Sequence, residues 1–300
     1  MIGYLFAGQG TQYVGMGKDF YEKNNFAKHL YDSMTMDFSI PNVCFYGPET
    51  TLNDTAYTQS CILATSFVIS SLLKDAGYGA DIAAGLSLGE YSALTYAQAI
   101  KLPDALEIVR QRGQIMAHAL PPKTTKMAAV LHCDIATIQT VCEAVSHDGQ
   151  ICTIANDNCP GQIVISGTNQ AVDEACAQLP ARCVPLKVSG AFHSPLLACA
   201  ASELHKVLQR YTFAEPKIPI VYNGTGQVGC DDLVDTLTRQ IKQTVQFRTS
   251  IETMMQYGVQ TWIEIGPGHV LSKFVKRIDP DAKVFSIDSY DDFLEVVHGK

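Results

Sequence analysis

The sequence predicts a mixed α/β protein: a parallel sheet with helices on both faces, into which a small ferredoxin-like unit is inserted. Short apolar segments alternate with helix-periodic segments along the chain, as in parallel sheets. Between residues 125 and 188 the predicted order changes to β-α-β-β-α-β, which is typical of ferredoxin-like units, and afterwards the alternation resumes. We therefore expect a larger core formed by 1–124 and 189–300 and an inserted subdomain formed by 125–188.

The predicted elements of the first 124 residues alternate between strand and helix. The first strand ends at a Gly-rich turn, and a later helix ends before Gly77, a typical terminating residue. A second strand runs directly into a helix through Ser87, and the last helix begins with a proline at an early position. The predicted strands are 2–7 and 81–86, and the helices are 61–76, 88–99 and 103–120.

The remaining elements follow from the same periodicities and turn residues. Pro121-Pro122 and Ser189-Gly190 bracket the inserted unit, and Asp134 is expected to cap one of its helices. Its predicted strands are 127–131, 151–155, 162–166 and 183–188, and its helices are 134–145 and 170–179. Beyond it we expect strands 218–222, 261–265 and 283–287, with helices from 195, at 231–242, at 249–257 and after the turn 266–268.

Composition excludes several classes of protein. The chain has 30 acidic and 22 basic residues and a net charge of −8, whereas a dedicated nucleic-acid binder needs a basic face. No uninterrupted apolar run approaches the roughly 18 residues of a membrane span, and the N-terminus lacks the features of a signal peptide. The ten cysteines form no CxxC motif. We expect a cytoplasmic protein with free thiols, no metal site and no permanently bound cofactor.

The strongest chemical signal is Gly85-Leu86-Ser87-Leu88-Gly89, a G-x-S-x-G pattern between a predicted strand and a predicted helix. A sharp strand-to-helix turn exposes the serine hydroxyl, and small flanking residues avoid clashes in such a backbone. The helix N-terminus supplies N–H groups and a positive dipole end beside the hydroxyl. The pattern predicts that Ser87 is a nucleophile, and the alternative is a serine that only caps the helix.

A serine nucleophile needs a base, and His193 is the best candidate among the eight histidines. It precedes Ser194-Pro195, which fits the N-cap and first position of a helix. The positive end of a helix dipole disfavours imidazolium, so a neutral imidazole is expected there. The alternative is a structural or surface histidine.

Arg112 is unusual because it lies on the apolar stripe of its predicted helix, among Ala105, Ile108 and Ile115, whereas Arg110 lies on the polar face. An arginine on such a stripe is costly unless it meets an anion. This position predicts a bidentate clamp for a substrate carboxylate. The alternatives are snorkelling to solvent or an internal salt bridge.

The Gly-rich turn Gly8-Gln9-Gly10 follows the first predicted strand. It lacks the third glycine of the dinucleotide fingerprint and the lysine of a P-loop, so phosphate binding is not favoured. It can instead present a backbone N–H as an oxyanion donor, as strand-end loops do in nucleophile-elbow enzymes.

Five segments, in this order and at these separations, resemble malonyl-CoA:acyl-carrier-protein transacylases of the stand-alone bacterial type: FAGQGTQYVGMG, GLSLGEYSAL, VRQRGQIM, GAFHSP and EIGPGHVLSKFVKRI. The resemblance implies an α/β-hydrolase-like core with a ferredoxin-like insertion. It implies ping-pong transfer of a malonyl group from malonyl-CoA to the phosphopantetheine thiol of acyl carrier protein. Ser87 would attack the thioester, His193 would move the proton, Gln9 and Leu88 would supply oxyanion N–H groups, and Arg112 would pair with the malonyl carboxylate.

The same resemblance implies further site residues. Gln240 matches a position whose main-chain carbonyl orients the histidine, and Asn158 matches an asparagine near the site. Phe192 resembles the malonyl-selective version of its motif, in which a bulky ring leaves no room for a 2-methyl branch. Two positions differ from many members: Leu86 replaces a histidine and Ala7 replaces a proline. Neither change removes a proton-transfer or oxyanion group.

Three alternative functions stay open. An acyl-thioester hydrolase would use the same nucleophile and base, but it needs no carboxylate clamp such as Arg112. A non-catalytic docking module for carrier proteins would not need an intact nucleophile and base. A trans-acting malonyltransferase of a polyketide synthase has the same sequence chemistry. An acidic carrier protein needs a basic patch, for which Lys273, Lys276 and Arg277 are candidates, and an ordinary surface helix is the alternative.

Overall fold

A computed structural model describes residues 1–186, 188 and 190–299. It contains a parallel and an antiparallel four-stranded sheet surrounded by helices, which confirms the predicted fold class. The strands are β1 (Ile2–Phe6), β2 (Ile82–Gly85), β3 (Thr125–Leu131), β4 (Cys152–Cys159), β5 (Gln162–Thr168), β6 (Arg182–Pro185), β7 (Val221–Tyr222), β8 (Gln227–Val228), β9 (Thr261–Ile265) and β10 (Lys283–Ile287).

The helices lie between these strands and at both ends of the chain. They are α1 (Lys18–Lys23), α2 (Asn25–Ser33), α3 (Ile40–Tyr46), α4 (Glu49–Leu52), α5 (Thr55–Asp75), α6 (Leu88–Tyr96), α7 (Leu102–His118), α8 (Ile135–Ala144), α9 (Asn169–Gln178), α10 (Ala198–Leu208), α11 (Leu233–Gln240), α12 (Phe247–Gln256), α13 (Leu271–Ile278) and α14 (Tyr290–His298). A 3-10 turn at Pro195–Leu197 leads into α10.

The parallel sheet has the order β10-β9-β1-β2, and each neighbouring pair is parallel. Alternate side chains of β1 point to opposite faces. Tyr4 and Phe6 pack with residues of α5 and α6, whereas Leu5 packs with Trp262 and residues of α12 and α13. Helices therefore cover both faces, as the sequence predicts. The carboxyl ends of β1 and β2 meet at one edge, where the turn 8–10 and Ser87 follow.

The antiparallel sheet has the order β4-β5-β3-β6 and packs against α8 and α9 around its own apolar cluster. This strand order is that of a ferredoxin-like unit. Asp134 accepts a hydrogen bond from the Thr137 N–H, so it caps α8 as predicted. β4 joins this sheet to the rest of the chain, because Val245 N–H donates to the Ala155 carbonyl at 2.8 Å and Asp157 N–H donates to the Val245 carbonyl at 3.0 Å.

Several elements differ from the sequence predictions. Helices α1 to α4 and α14 were not predicted, and α5 begins at Thr55 because its first turns bury polar side chains that mask the apolar period. Of the predicted strand 218–222, residues 221–222 form β7 in a hairpin with β8, and Ile220 forms a single parallel bridge with Ala83 of β2. The ladder is no longer than this because Pro219 has no N–H to donate. The predicted strand 183–188 ends at Pro185. Lys187 of that prediction and Ser189 of the predicted boundary lie outside the described residues.

Helix α5 is long and apolar enough to cross a membrane by length and composition. However, 78% of its most apolar 18-residue window is buried inside the protein. Such burial is typical of the core helix of a globular protein, which explains why the apolar faces of α5 contact α6, α7 and the parallel sheet.

Candidate active site

Ser87 lies in a strained turn between β2 and α6, with φ 54° and ψ −102°. Non-glycine residues rarely adopt a positive φ, and such strain persists only where the surroundings fix it. Glycine is required on both sides: a Cβ on Gly85 would collide with the Gly89 backbone, and a Cβ on Gly89 would collide with the Phe6 carbonyl. The pattern therefore places the serine hydroxyl at the edge of the sheet, as expected for an elbow.

The Ser87 hydroxyl contacts His193, which lies 106 positions away in the sequence. The distance between Ser87 Oγ and His193 Nε2 is 2.8 Å, and His193 Nδ1 lies 2.9 Å from the Gln240 carbonyl oxygen. A carbonyl can only accept, so Nδ1 carries the proton and Nε2 is free to accept one from the serine. The backbone N–H of His193 donates to the Ile241 carbonyl at 3.0 Å, which fixes the ring further.

His193 is 4% exposed, and its surroundings favour the neutral imidazole. Burial, followed by the nearby Arg112 charge, lowers the pKa of His193 from 6.5 to about 4. The sequence argument predicted a neutral imidazole from a helix dipole. The element that follows is a three-residue 3-10 turn, and the Ser194 hydroxyl donates to the Ala191 carbonyl at 2.8 Å instead of capping it. We therefore correct the cause of the neutral state to burial and the Arg112 charge.

Arg112 is 1% exposed and its guanidinium is held by neutral oxygens. It donates to Gln59 Oε1 at 2.9 Å, to Gln240 Oε1 at 3.0 Å and to Ser87 Oγ at 3.1 Å. Its Nε has no hydrogen-bond partner among the described residues, and none of their carboxylates forms an ion pair with it. The snorkelling alternative is therefore wrong, and no carboxylate of the described residues forms a direct ion pair with the guanidinium. The buried cation faces the serine, while the Tyr91 ring lies 5.3 Å from its Cζ and the buried Glu90 carboxyl acts on its charge at longer range.

Glutamines form the network around Arg112, and sequence analysis missed most of it. Gln59 links Arg112 to Gln9, because Gln59 Nε2 donates to Gln9 Oε1 at 3.1 Å while Gln59 Oε1 accepts from the arginine. Gln240 Nε2 also donates to the Ser87 carbonyl at 2.8 Å. Gln59 could have been recognised as a glutamine in an apolar helix. The predicted helix began only at residue 61, however, so Gln59 was left in the polar segment that precedes it.

Two further buried residues support the turn and were also missed. Asn223 Oδ1 accepts from the Ser87 N–H at 2.7 Å, and its own N–H donates to Glu90 Oε2 at 2.5 Å. Burial raises the pKa of Glu90 from 4.5 to about 7. A glutamate in the first turn of the otherwise uncharged helix α6 was the sequence signal for Glu90, and nothing local marked Asn223.

A cavity of about 340 Å³ opens at Ser87, between the parallel sheet edge and the antiparallel sheet. The predicted site residues that line it are Ser87, His193, Arg112, Gln9, Asn158 and Phe192. Leu88 and Gln240 lie behind this surface. Its remaining walls are largely apolar, with Met116, Met127 and Phe274 among them. A cavity with apolar walls and a few convergent polar groups is typical of a substrate site.

The predicted oxyanion donors flank this cavity. Among the described residues, neither the N–H of Gln9 nor that of Leu88 donates to another backbone carbonyl. Asn158 is 5% exposed, and its Oδ1 has no partner in the described part of the chain. Unpaired polar groups at the wall of a cavity are available to a substrate, since burying them without a partner costs free energy.

Neither a metal-binding cluster nor the largest neighbouring groove offers an alternative site among the described residues. No group of three or more His, Cys, Asp or Glu side chains in residues 1–186, 188 and 190–299 could hold a metal ion. A larger open groove of about 840 Å³ is lined by residues between 211 and 234, but it contains none of the predicted site residues. The smaller cavity is therefore the candidate active site, because it alone of the two contains the serine–histidine contact.

Comparisons with known proteins agree with this geometry. The acyl transferase domain family matches residues 3–283. A malonyl CoA-acyl carrier protein transacylase of Bacillus subtilis (strain 168) is 38% identical over 294 residues, covering 95% of this chain and 93% of the relative. The crystal structure of a malonyl CoA-acyl carrier protein transacylase from Clostridium perfringens is 36% identical with a TM-score of 0.96, covering 99% of this chain and 96% of that one.

A second solved structure is a complex of a type II PKS acyl-carrier protein with its malonyl-transacylase. It is 32% identical with a TM-score of 0.94 and covers 100% of this chain and 99% of that one. The match of the family model to nearly the whole chain and the identity of these relatives exceed what a shared fold alone would give. The chain therefore belongs to the acyl transferase domain family, among the malonyl CoA-acyl carrier protein transacylases.

Proposed function

We propose that this chain transfers a malonyl group from malonyl-CoA to the phosphopantetheine thiol of acyl carrier protein, through an acyl-enzyme on Ser87. One observation carries the proposal: Ser87 Oγ lies 2.8 Å from the His193 base and 3.1 Å from the buried Arg112 cation. The serine hydroxyl therefore contacts both a proton acceptor, His193, and a cation that can bind a substrate carboxylate, Arg112. The relatives named above, which are malonyl transacylases, support the same substrate class.

In the first half-reaction, Ser87 Oγ attacks the thioester carbonyl and His193 Nε2 takes the hydroxyl proton. The carbonyl oxygen becomes an oxyanion, for which the N–H groups of Gln9 and Leu88 are the proposed donors. When the tetrahedral intermediate collapses, the C–S bond breaks and His193 returns the proton to the coenzyme A thiolate. The Gln240 carbonyl holds the protonated ring by accepting from Nδ1 at 2.9 Å.

In the second half-reaction, the carrier-protein thiol enters the site that coenzyme A has left. His193 takes the thiol proton, the thiolate attacks the malonyl ester, and the proton returns to Ser87 Oγ as the C–O bond breaks. The starting enzyme is regenerated. These steps use only groups of the chain itself and the two thiol carriers, so the proposal needs no resident cofactor or metal.

Arg112 is the proposed determinant of the acyl group. The malonyl carboxylate would pair with its guanidinium, which in the free protein bonds only to neutral oxygens of the described residues. Phe192, 7% exposed at the cavity wall, is proposed to exclude a 2-methyl branch. Asn158 lines the same cavity and has an unpaired Oδ1, and it is the proposed partner for a polar group of the substrate arm. An acyl-thioester hydrolase needs no such clamp, so that alternative is not favoured.

The acyl carrier protein is the proposed partner, and a cytoplasmic location follows from it as part of the proposal. The solved carrier-protein complex with a malonyl-transacylase supports a protein acceptor. Of the candidate docking residues, Arg277 donates to Gln162 Oε1 at 2.8 Å and Lys276 donates to the Pro280 carbonyl at 3.0 Å. Arg277 thereby ties α13 to β5, which leaves Lys273 as the residue best placed for a carrier. We retain 125–188 as the proposed inserted subdomain.

A transfer assay tests the function. Purified enzyme is given malonyl-, methylmalonyl- or acetyl-CoA with phosphopantetheinylated acyl carrier protein, and label is followed into carrier protein and into water. We expect malonyl transfer to the carrier, slower transfer of the other two groups and little hydrolysis. Release of malonate to water at the rate of thioester consumption would instead establish a hydrolase. Carrier proteins from fatty acid and polyketide pathways, assayed in parallel, separate the two transferase alternatives by rate.

A further inference from the structure

Asn223 makes three hydrogen bonds around the turn that carries Ser87, although 136 positions separate the two residues. Its Oδ1 accepts from the Ser87 N–H at 2.7 Å, and its Nδ2 donates to the Gly85 carbonyl at 2.7 Å. The two bonded groups lie on either side of Leu86, so one side-chain amide spans the turn. Asn223 is 1% exposed and does not line the active-site cavity, so these bonds serve the backbone and not a ligand.

The turn needs such a restraint because Ser87 is strained. A non-glycine residue at φ 54° and ψ −102° costs on the order of 1–3 kcal/mol, and it persists only when neighbouring contacts over-determine it. The strain at Ser87 could be relieved by rotation of the peptide group that carries its N–H. The hydrogen bond from this N–H to Asn223 Oδ1 opposes that rotation. Relaxed toward ordinary backbone angles, the serine would swing Oγ away from His193 Nε2.

Glu90 holds Asn223 from the opposite side. The N–H of Asn223 donates to Glu90 Oε2 at 2.5 Å, and Glu90 lies in the first turn of α6, where a helix dipole favours a carboxylate. Glu90 is fully buried, and its Oε1 has no partner among the described residues. Burying a carboxyl group is costly, so its short bond from a loop amide points to a positioning task.

We propose that Asn223 is a positioning residue that holds the Ser87 backbone in its strained conformation, and that Glu90 fixes Asn223 in the orientation this requires. The inference rests on the proposed function, since it concerns the same nucleophile. The Asn223 amide acts on the reactivity of Ser87 alone. Arg112 is also held by Gln59 and Gln240, which do not bond to Asn223, so acyl preference is predicted to survive loss of the amide.

The test compares Asn223→Ala, Glu90→Ala and Glu90→Gln with wild type, with Thr225→Ala as a control on the exposed part of the same loop. Three quantities are measured: the rate at which a fluorophosphonate labels Ser87, and the kcat and KM for malonyl- and acetyl-CoA. A misplacement of about 1 Å can cost about 10²-fold in rate. We expect Asn223→Ala to slow labelling and kcat by about 10²-fold, with KM within about threefold and the malonyl-to-acetyl ratio unchanged.

Glu90→Gln keeps an oxygen that can accept from the Asn223 N–H, whereas Glu90→Ala does not. We therefore expect Glu90→Gln to label Ser87 within about threefold of wild type and Glu90→Ala to label it about tenfold more slowly. The comparison of Glu90→Gln with Glu90→Ala tests the proposed positioning role even if Asn223→Ala fails to fold. Normal labelling in Glu90→Ala or Asn223→Ala would overturn the inference, as would an equal loss in Glu90→Gln. Wild-type enzyme that labels but does not transfer malonyl would contradict the proposed function and leave the labelling result standing.

Discussion

Arg112 donates a hydrogen bond to Ser87 Oγ at 3.1 Å, although the two residues lie in different elements and 25 positions apart. A guanidinium cannot accept a hydrogen bond, so the Ser87 hydroxyl donates its proton to His193 Nε2, which lies 2.8 Å away. One oxygen thus contacts both a base and a cation. In malonyl-CoA only a methylene separates the carboxylate from the reacting carbonyl, so a carboxylate bound to Arg112 would hold that carbonyl beside the nucleophile. Substitutions at these residues are expected to separate chemistry from acyl preference.

Ser87→Ala should abolish both acyl-enzyme formation and transfer, because the hydroxyl is the proposed nucleophile and the fold does not depend on it. Mass spectrometry after incubation with malonyl-CoA checks for the covalent adduct, and circular dichroism checks the fold. Ser202→Ala, on the exposed face of α10, is the matched control and should keep full activity. A malonylated residue other than Ser87 in an active variant would refute the assignment.

His193→Ala should slow transfer by ~10²–10⁴-fold, the usual value of a positioned general base. In wild type, burial lowers the pKa of His193 to about 4, so the neutral base predominates at every higher pH. The acidic limb of kcat/KM for the free enzyme should therefore lie near pH 4, well below the ordinary value of 6.5. His269→Ala, at an exposed histidine paired with Asp288, serves as the control. If His269→Ala loses activity and His193→Ala does not, the base has been misassigned.

Arg112→Ala should change acyl preference more than it impairs chemistry. The variant leaves the malonyl carboxylate desolvated without a cation, which commonly costs about 2–5 kcal/mol. Acetyl-CoA has no carboxylate, so its kcat/KM should fall little or rise. Arg110→Ala removes an arginine of the same helix whose charge pairs with Glu107 and Asp37, and it should leave both substrates unaffected. An equal loss for malonyl- and acetyl-CoA would show that Arg112 is structural.

Gln240→Ala should separate the two contacts that Gln240 makes. The main-chain carbonyl that accepts from His193 Nδ1 remains, whereas the side chain that binds Arg112 and the Ser87 carbonyl is lost. We expect an unchanged acidic limb, together with a malonyl-to-acetyl preference reduced about tenfold. pH profiles with both substrates make the measurement. A displaced acidic limb would mean that the side chain also positions His193.

Glu90 should make the free energy of unfolding depend on pH. Burial raises the pKa of Glu90 from 4.5 to about 7, so the folded state binds the proton more tightly than the unfolded state. Its contribution is fully present below pH 4.5 and is lost as pH rises through 7. Glu90→Gln does not titrate, so its stability relative to wild type should rise by about 3 kcal/mol across that window. Denaturant unfolding at several pH values tests this, with exposed Glu49→Gln as control. A difference in unfolding free energy between Glu90→Gln and wild type that does not change with pH would contradict this prediction.

Local sequence patterns predicted those strands, turns and buried side chains whose structure depends mainly on residues adjacent in the chain. Strands β9 and β10 have the predicted bounds, because short segments rich in β-branched and aromatic residues, TWIEI and KVFSI, are bounded by turn residues and leave little freedom. The strand–turn–helix at Ser87 follows from glycine spacing, and the burial of Arg112 follows from helical period alone. The unpredicted helices α1 to α4 are short. Helices α2, α3 and α4 pack against α5, and α1 packs against α2, so tertiary packing, more than their own periodicity, decides their formation.

The sequence by itself determined the fold class, the elbow and the candidate nucleophile, base and cation, since each is marked by a local pattern. Only the tertiary structure decided what those groups touch. Gln59, Gln240 and Asn223 are ordinary polar residues in the sequence, and their bonds to Arg112 and Ser87 join segments 53 to 153 positions apart. Local periodicity carries no information on such pairings, because they arise only when the sheet brings distant loops to the same edge.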